Sequence, residues 1–410
     1  MWPLRRAFQD ESPARLECPA LRCLNATVNS PASSVMLAWF AKFVVFMLFV
    51  LIFIGGLTTT AGAGMAFPDW PLSNGSLNPP GWWNDFLQQK EHAHRLTAET
   101  VGLLIGVLCA WVWRSKWSVP IAAAVSIALA FAAKFAGAEP AVIAHTGLWS
   151  SAITFALIIL WQAGRGDHAR PAPVRWLAFA AFLGVLAQAI LGGLRVTVES
   201  AGDPGTATAL RVIHGCFAHL ELSLVVALAA MLSPVWPQIS APAEGRSIAV
   251  LGWITGGFIF LQLIVGATMR HLGAGLAIPS WPQASPAGAW LPAVHNTFVD
   301  LNFTHTRVGA VLVALLVVAF ALRAFGHAGS DVRLIRPAAL LVALLAAQVA
   351  LGIFVIWKMR PPILTTLHVV NGAALLAATV LLAVRAGRGR PVAAETSPSV
   401  AGGSVAEVTA

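Results

Sequence analysis

The chain has 410 residues, of which 58% are hydrophobic and only 10% are charged. Soluble domains carry about a quarter charged residues, so this composition excludes a soluble globular protein and indicates an all-α polytopic membrane protein. The formal net charge of +9 does not indicate a nucleic-acid partner, because the basic residues gather at loop ends, and we expect a membrane-lipid environment instead.

A membrane-spanning helix needs about 20 apolar residues. Ten stretches of the chain satisfy this requirement, and they are 37–60, 94–113, 118–137, 141–162, 174–195, 210–232, 247–268, 304–323, 335–357 and 364–384. The segments 1–36 and 391–410 are rich in Pro, Ala, Ser and Gly and are predicted to be disordered tails.

The distribution of Lys and Arg predicts the orientation of these helices. Most of the 26 basic residues lie in segments that face inward if the N-terminus is cytoplasmic. Both termini are then predicted to be cytoplasmic. The two long loops, about 61–93 and 269–303, face outward and carry several tryptophans, which suit the membrane interface.

The two long loops belong to an internal repeat with an offset of 211 residues. Gly62-Ala63-Gly64 matches Gly273-Ala274-Gly275, and Pro68, Trp70 and Pro71 match Pro279, Trp281 and Pro282. A second motif, Gln-x-x-Leu-Gly, occurs at 188–192 and again at 348–352. The repeat therefore predicts two pseudosymmetric four-helix bundles, 37–232 and 247–384, with 118–162 as an extra helical hairpin inserted in the first. That hairpin is predicted either to face lipid or to offer a surface for a partner.

Four histidines occupy matched positions of the repeat, near the outer ends of spans. They are His94 and His214 in the first half, and His305 and His368 in the second. Two histidines on facing helices of a bundle can bind a heme iron from both sides, so the pattern predicts two heme sites with iron as the metal. A lone intramembrane histidine is otherwise a hydrogen-bonding core residue. His145 is a competing candidate ligand, because it too lies near the outer end of a span.

Charged residues beside these histidines are further candidates for the site. Glu91 lies three residues before His94, on the same helical face, and Asn302 is its counterpart in the second half. Glu91 is either an acid that acts next to a bound porphyrin or a charge that favours the helix N-terminus. Arg95 and Arg307 could pair with heme propionates or extend to the interface.

These elements resemble the heme A synthase family. The resemblance rests on Gly55-Gly56-Leu57-Thr58, the Pro68-Asp69-Trp70-Pro71 segment, the element Glu91 to Arg95, and the His305, Gln348 and His368 elements. It covers nearly everything from about 37 to 384 except the inserted hairpin.

The resemblance implies that His94 and His214 flank the substrate heme O and that His305 and His368 ligate a permanent heme b. It implies that Glu91 is the functionally important acid. The implied reaction is oxidation of the C8 methyl of heme O to a formyl group by successive hydroxylation, for cytochrome oxidase assembly. Heme O synthase and oxidase assembly factors are the implied protein partners.

Two features depart from the family pattern. Ser73 follows Trp70-Pro71-Leu72 where many members have a cysteine. In the second half, Thr306 separates His305 from Arg307, so the His-Arg dipeptide is broken.

Three other functions are compatible with the histidines. A di-heme b-type electron carrier would oxidise quinol with no chemistry on the macrocycle. A transporter with parallel repeats would have broken helices and polar residues at mid-membrane, whereas here the ionisable groups gather at the outer ends and the span centres are Leu, Ala and Val, so this function ranks last. A heme chaperone would need only the binding sites.

Overall fold

Ten long helices make up the computed structural model, which describes residues 31–166, 170–239, 244–327, 329 and 331–388. The helices are α1 (Pro31–Thr60), α2 (Phe86–Trp113), α3 (Ser118–Phe135), α4 (Pro140–Ala163), α5 (Ala172–Ser200), α6 (Pro204–Leu232), α7 (Gly245–His271), α8 (Thr297–His327), α9 (Val332–Trp357) and α10 (Pro362–Ala386). All ten are long and apolar enough to cross a membrane. The prediction of an all-α polytopic membrane protein is confirmed.

The helices extend beyond their apolar runs, because polar residues form the first turns. α2 begins at Phe86, before the predicted boundary at 94, since the side chain of Asp85 accepts a hydrogen bond from the Gln88 backbone and caps the helix. Asp203 caps α6 in the same way. α1 begins at Pro31, inside the predicted N-terminal tail, and the rest of that tail and all of 391–410 lie outside the described residues.

The helices pack as two rings of four. In the first half α1 packs against α2 and α6, and α5 packs against the same two helices. In the second half α7 packs against α8 and α10, and α9 packs against the same two helices. α1 and α6 of the first ring contact α7 and α10 of the second. Arg270 of α7 crosses this boundary and donates a hydrogen bond of 3.0 Å to the Gly56 carbonyl of α1.

The inserted hairpin consists of α3 and α4, which pack mainly against each other. α4 touches the first ring through Phe155, whose ring lies 4.5 Å from that of Phe182 in α5. Much of the hairpin is exposed, with Phe135 at 87%. Exposed apolar residues on a membrane-spanning helix face lipid or another protein.

Candidate functional site

Each of the four repeated histidines packs against a glycine of the preceding helix in its half. A Cβ atom added to Gly55 would lie 2.9 Å from His94 Cε1, and one added to Gly266 would lie 2.5 Å from His305 Cε1. His214 meets Gly192 and His368 meets Gly352 in the same way, at 3.3 and 3.1 Å. A methyl group at Gly55 or Gly266 would displace the imidazole, whereas at Gly192 or Gly352 the ring would have to move by a few tenths of an ångström.

The four imidazoles also share an unused nitrogen. The Nδ1 atom of each is buried and has no hydrogen-bond partner among the described residues. Buried polar atoms are nearly always satisfied in native structures, and an exception requires an explanation. A neutral imidazole is a good ligand for iron, so four under-satisfied rings are the donor set expected of metal-binding histidines.

The spacing of the second pair fits a metal between the two rings. The centroids of His305 and His368 lie 6.4 Å apart, with an interplanar angle of 78°. Two metal–nitrogen bonds of about 2 Å each, plus the radius of each ring, account for roughly this separation. His94 and His214 repeat the histidine–glycine arrangement of this pair in the first half. The residues present therefore fit two bis-histidine heme sites, one in each half.

Glutamines support three of the four histidines. Gln188 and Gln262 donate to the backbone carbonyls of His214 and His305, at 3.2 and 2.7 Å. The Nε2 atoms of Gln348 and His368 lie 3.3 Å apart. Each glutamine stands four residues before the glycine that contacts the histidine. Leu51 holds this position before Gly55, so His94 differs from the other three.

Glu91 is almost fully buried, with 2% of its surface exposed. Its Oε2 atom accepts a hydrogen bond of 3.0 Å from the Phe67 backbone, and its Oε1 atom accepts one of 2.6 Å from Arg95. The bond from Phe67 ties the beginning of α2 to the first long loop, and the bond from Arg95 lies within α2. Asn302 is equally buried, but it donates to the Ala274 carbonyl at 2.9 Å and carries no charge.

Arg95 and Arg307 anchor the two long loops. Arg95 donates to the carbonyls of Asp69 and Leu72, at 2.8 and 2.5 Å. Arg307 donates to the carbonyls of Ser280 and Gln283, at 2.6 and 2.9 Å. These contacts assign both guanidinium groups to loop carbonyls, and the propionate role of the two arginines stays a prediction.

The inserted Thr306 is accommodated by a π-helical segment, Thr304–Gly309, within α8. A π-turn holds one more residue than an α-turn, and such segments are frequent at functional sites. The extra residue therefore lies in the π-turn. The broken His-Arg dipeptide of the second half is a local feature of the helix, and the loop contacts of the arginine are unchanged.

The other histidines of the described chain lie outside the two pairs. His145 of α4 packs on Trp70 of the first loop, with ring centroids 5.3 Å apart. His92 is 3% exposed and packs on Trp82. His219 Nδ1 lies 2.8 Å from the Gly215 carbonyl, in agreement with a structural role. His168 lies outside the described residues.

Sequence reasoning missed Gly266 and Gln262. Adding the repeat offset of 211 to Gly55 gives Gly266, so the signal was present in the sequence. Like Gln188 and Gln348, Gln262 lies four residues before a glycine, and this spacing was a second available signal.

This fold and site define a class of protein, a polytopic helical membrane protein with a histidine pair in each of two repeated halves. The family model COX15-CtaA, described as cytochrome oxidase assembly protein, matches residues 38–148 and 143–380. The match covers most of the chain, and the chain belongs to this family.

Several similar proteins are named heme A synthase. The one from Sphingopyxis alaskensis is 25% identical over 384 residues, which cover 89% of this chain and 97% of that protein. The one from Bradyrhizobium diazoefficiens is 25% identical over 404 residues, 91% of this chain and 98% of that protein. The one from Azorhizobium caulinodans is 30% identical over 196 residues, and this alignment covers 44% of this chain and 53% of that protein.

Proposed function

We propose that this protein is a heme A synthase, an oxidoreductase that converts the C8 methyl of heme O to a formyl group by successive hydroxylation. The observation that carries the proposal is the fourfold arrangement of a histidine against a glycine, each with an unpartnered Nδ1 among the described residues. The relatives that align over nearly the whole chain are named heme A synthase, which supports the proposal.

The two halves take different hemes in this proposal. His94 and His214 bind the substrate heme O, and His305 and His368 hold a resident heme b. When bound, heme b supplies a one-electron redox centre in the second half. The asymmetry between Leu51 and Gln262 supports this assignment, because His94 lacks the glutamine that holds its counterpart His305. A less constrained ligand suits a site that must exchange substrate for product.

Glu91 is the acid proposed to act beside the substrate. It begins the turn that carries His94, and its two hydrogen bonds hold the carboxyl at the mouth of the first site. A carboxylate has about four lone-pair sites, so it retains acceptor capacity after these two bonds. Asn302 at the equivalent position cannot exchange a proton, which supports a reactive first half and an electron-transferring second half.

The di-heme electron carrier is not supported. It would have two permanent hemes with equal ligation and relatives named accordingly. The two halves differ at Glu91 and Leu51, and the relatives are named heme A synthase.

The setting of the reaction is part of the proposal. We place the protein in the bacterial cytoplasmic membrane with both termini in the cytoplasm, so that both histidine pairs lie toward the outer surface. Heme O synthase and cytochrome oxidase assembly factors are the proposed partners, because one supplies the substrate and the others accept the product.

Extraction of the bound pigments tests the proposal. The full chain is produced in a host together with a source of heme O, purified in detergent, and its hemes are separated by chromatography with mass detection. We expect heme A or a hydroxylated heme O beside heme b. Heme b alone, at about two per chain and unaltered by supplied heme O, would contradict the enzyme, and absence of heme would contradict both sites.

A further inference from the structure

A buried carboxyl group in the first half has no role in the proposed reaction. Glu221 of α6 is 2% exposed, and neither of its side-chain oxygens has a hydrogen-bond partner within the described part of the chain. The group fills a slot on α5, where a Cβ atom at Gly184 would lie 2.0 Å from Oε2. A buried carboxyl without partners is costly, which points to a ligand that supplies the missing contact.

The position of Glu221 relates it to the first histidine pair. It follows His214 by seven residues, which is about two turns and 10 Å toward the inner end of α6, on nearly the same helical face. On α5, Gly184 lies against Glu221, and Gly192, eight residues later, lies against His214. Glu221 and His214 thus face the same neighbouring helix at two depths.

The second half has no counterpart to this acid. When Gln188 is matched to Gln348 and His214 to His368, the positions of Gly184 and Glu221 become Leu344 and Leu375. Leu375 is buried in the hydrophobic core of the second half. The acid and its glycine therefore belong only to the half that we propose to bind the substrate.

The chemistry of the substrate provides a partner for the acid. Heme O differs from heme b in one substituent, a hydroxylated isoprenoid chain that replaces a vinyl group, at the edge of the ring away from the propionates. Propionates stay near the membrane surface, where Arg195 packs on Gly64 of the outer loop, because a buried charge is costly. With the propionates held there, the opposite edge of a bound heme would point inward along α6, toward Glu221.

We propose that Glu221 accepts a hydrogen bond from the hydroxyl group of the substrate side chain and so selects heme O over heme b at the first histidine pair. A carboxyl group can accept this bond in either protonation state. Sites that hydrogen-bond a substrate hydroxyl reject analogues without it, because the buried partner is left unpaired. This inference rests on the proposed function, and it makes Glu221 a residue of substrate recognition.

Two matched porphyrins test the inference without measuring activity. The iron complex of hematoporphyrin carries hydroxyethyl groups where that of mesoporphyrin carries ethyl groups. Each is titrated by its Soret band into purified full-length protein that retains its heme b, and binding that survives His214→Ala is subtracted. We expect wild-type protein to bind the hydroxyethyl porphyrin about tenfold more tightly. In Glu221→Leu, which copies the second half, this ratio falls to about one.

The variants separate recognition from folding. Glu221→Gln keeps a carbonyl acceptor and should retain part of the preference for the hydroxyethyl porphyrin. If the leucine variant does not accumulate, the binding ratio of Glu221→Gln is compared with that of the wild-type protein instead, and a smaller ratio is expected. Glu99→Gln removes an exposed carboxyl from the same half and should leave the ratio unchanged. An unchanged ratio in Glu221→Leu, an equal loss for both porphyrins, or no preference in wild-type protein overturns the inference. Absence of any His214-dependent binding overturns the proposed function as well.

Discussion

Arg95 and Arg307 bind equivalent carbonyls in the two halves although they are not equivalent in the sequence. The acceptors Asp69 and Leu72 correspond to Ser280 and Gln283 at the repeat offset of 211, whereas the two arginines are separated by one residue more. The π-helical segment in α8 takes up this residue. The loop contact is therefore preserved by the fold, and the helix adjusts to it.

The first prediction concerns this contact. Arg307→Ala should lower the temperature at which the protein releases heme b, because several hydrogen bonds from the guanidinium to the second loop are lost. Each carbonyl left without a partner should cost about 1–3 kcal/mol of stability. Deletion of Thr306 should leave this temperature nearly unchanged, since it restores the His-Arg spacing of the first half. Heme absorbance during heating measures both.

The exposed pair of Arg323 and Glu244 provides the control for that prediction. Arg323→Ala should have little effect, because exposed ion pairs contribute little to stability. Equal destabilisation by all three changes would show that the arginine contact to the loop has no special weight.

The histidine pairs should lose their hemes independently. His305→Ala or His368→Ala should abolish heme b, and His94→Ala or His214→Ala should abolish retention of heme O while heme b remains, because each pair lies in its own ring of helices. Pigment extraction from the four variants measures this. Full heme b content in both second-half variants would refute the second site.

The glycines opposite the histidines should tolerate a methyl group according to the space available. Gly266→Ala should reduce heme b content most, because its Cβ would lie 2.5 Å from the His305 ring, and Gly352→Ala should do so less, at 3.1 Å. Overpacking of this kind costs about 1–3 kcal/mol. Gly257 of α7 is the control, since a Cβ there meets nothing within 4 Å. Heme loss in Gly257→Ala as well would point to a general effect on α7.

Glu91→Ala should separate binding from chemistry. We expect heme O and heme b to remain bound while oxidised products disappear, because the variant keeps all four histidines and loses the proposed acid. The ratio of heme A and hydroxylated heme O to heme O in the extract measures this. Asn302→Ala is the matched change in the second half and should not alter the ratio. Unchanged product formation in Glu91→Ala would remove this residue from the mechanism.

The sequence predicted the membrane-spanning helices well because their signal is local. Apolar runs of about 20 residues define membrane spans regardless of what surrounds them. The helix ends were less accurate, as at α2, because a cap such as Asp85 acts beyond the apolar run. Gly266 was derivable from the repeat offset, since an internal repeat transfers a contact from one half to the other.

The sequence by itself determined that this is a polytopic helical membrane protein with a repeated histidine pattern, because composition, hydropathy and the offset of 211 residues are properties of the chain alone. Only the tertiary structure decided that the arginines bind loop carbonyls, that a π-turn accommodates Thr306, and that Glu221 lies unpartnered against Gly184 among the described residues. These facts depend on which helices become neighbours and how each is rotated. Side-chain packing between residues distant in the chain sets that rotation, and no local pattern encodes it.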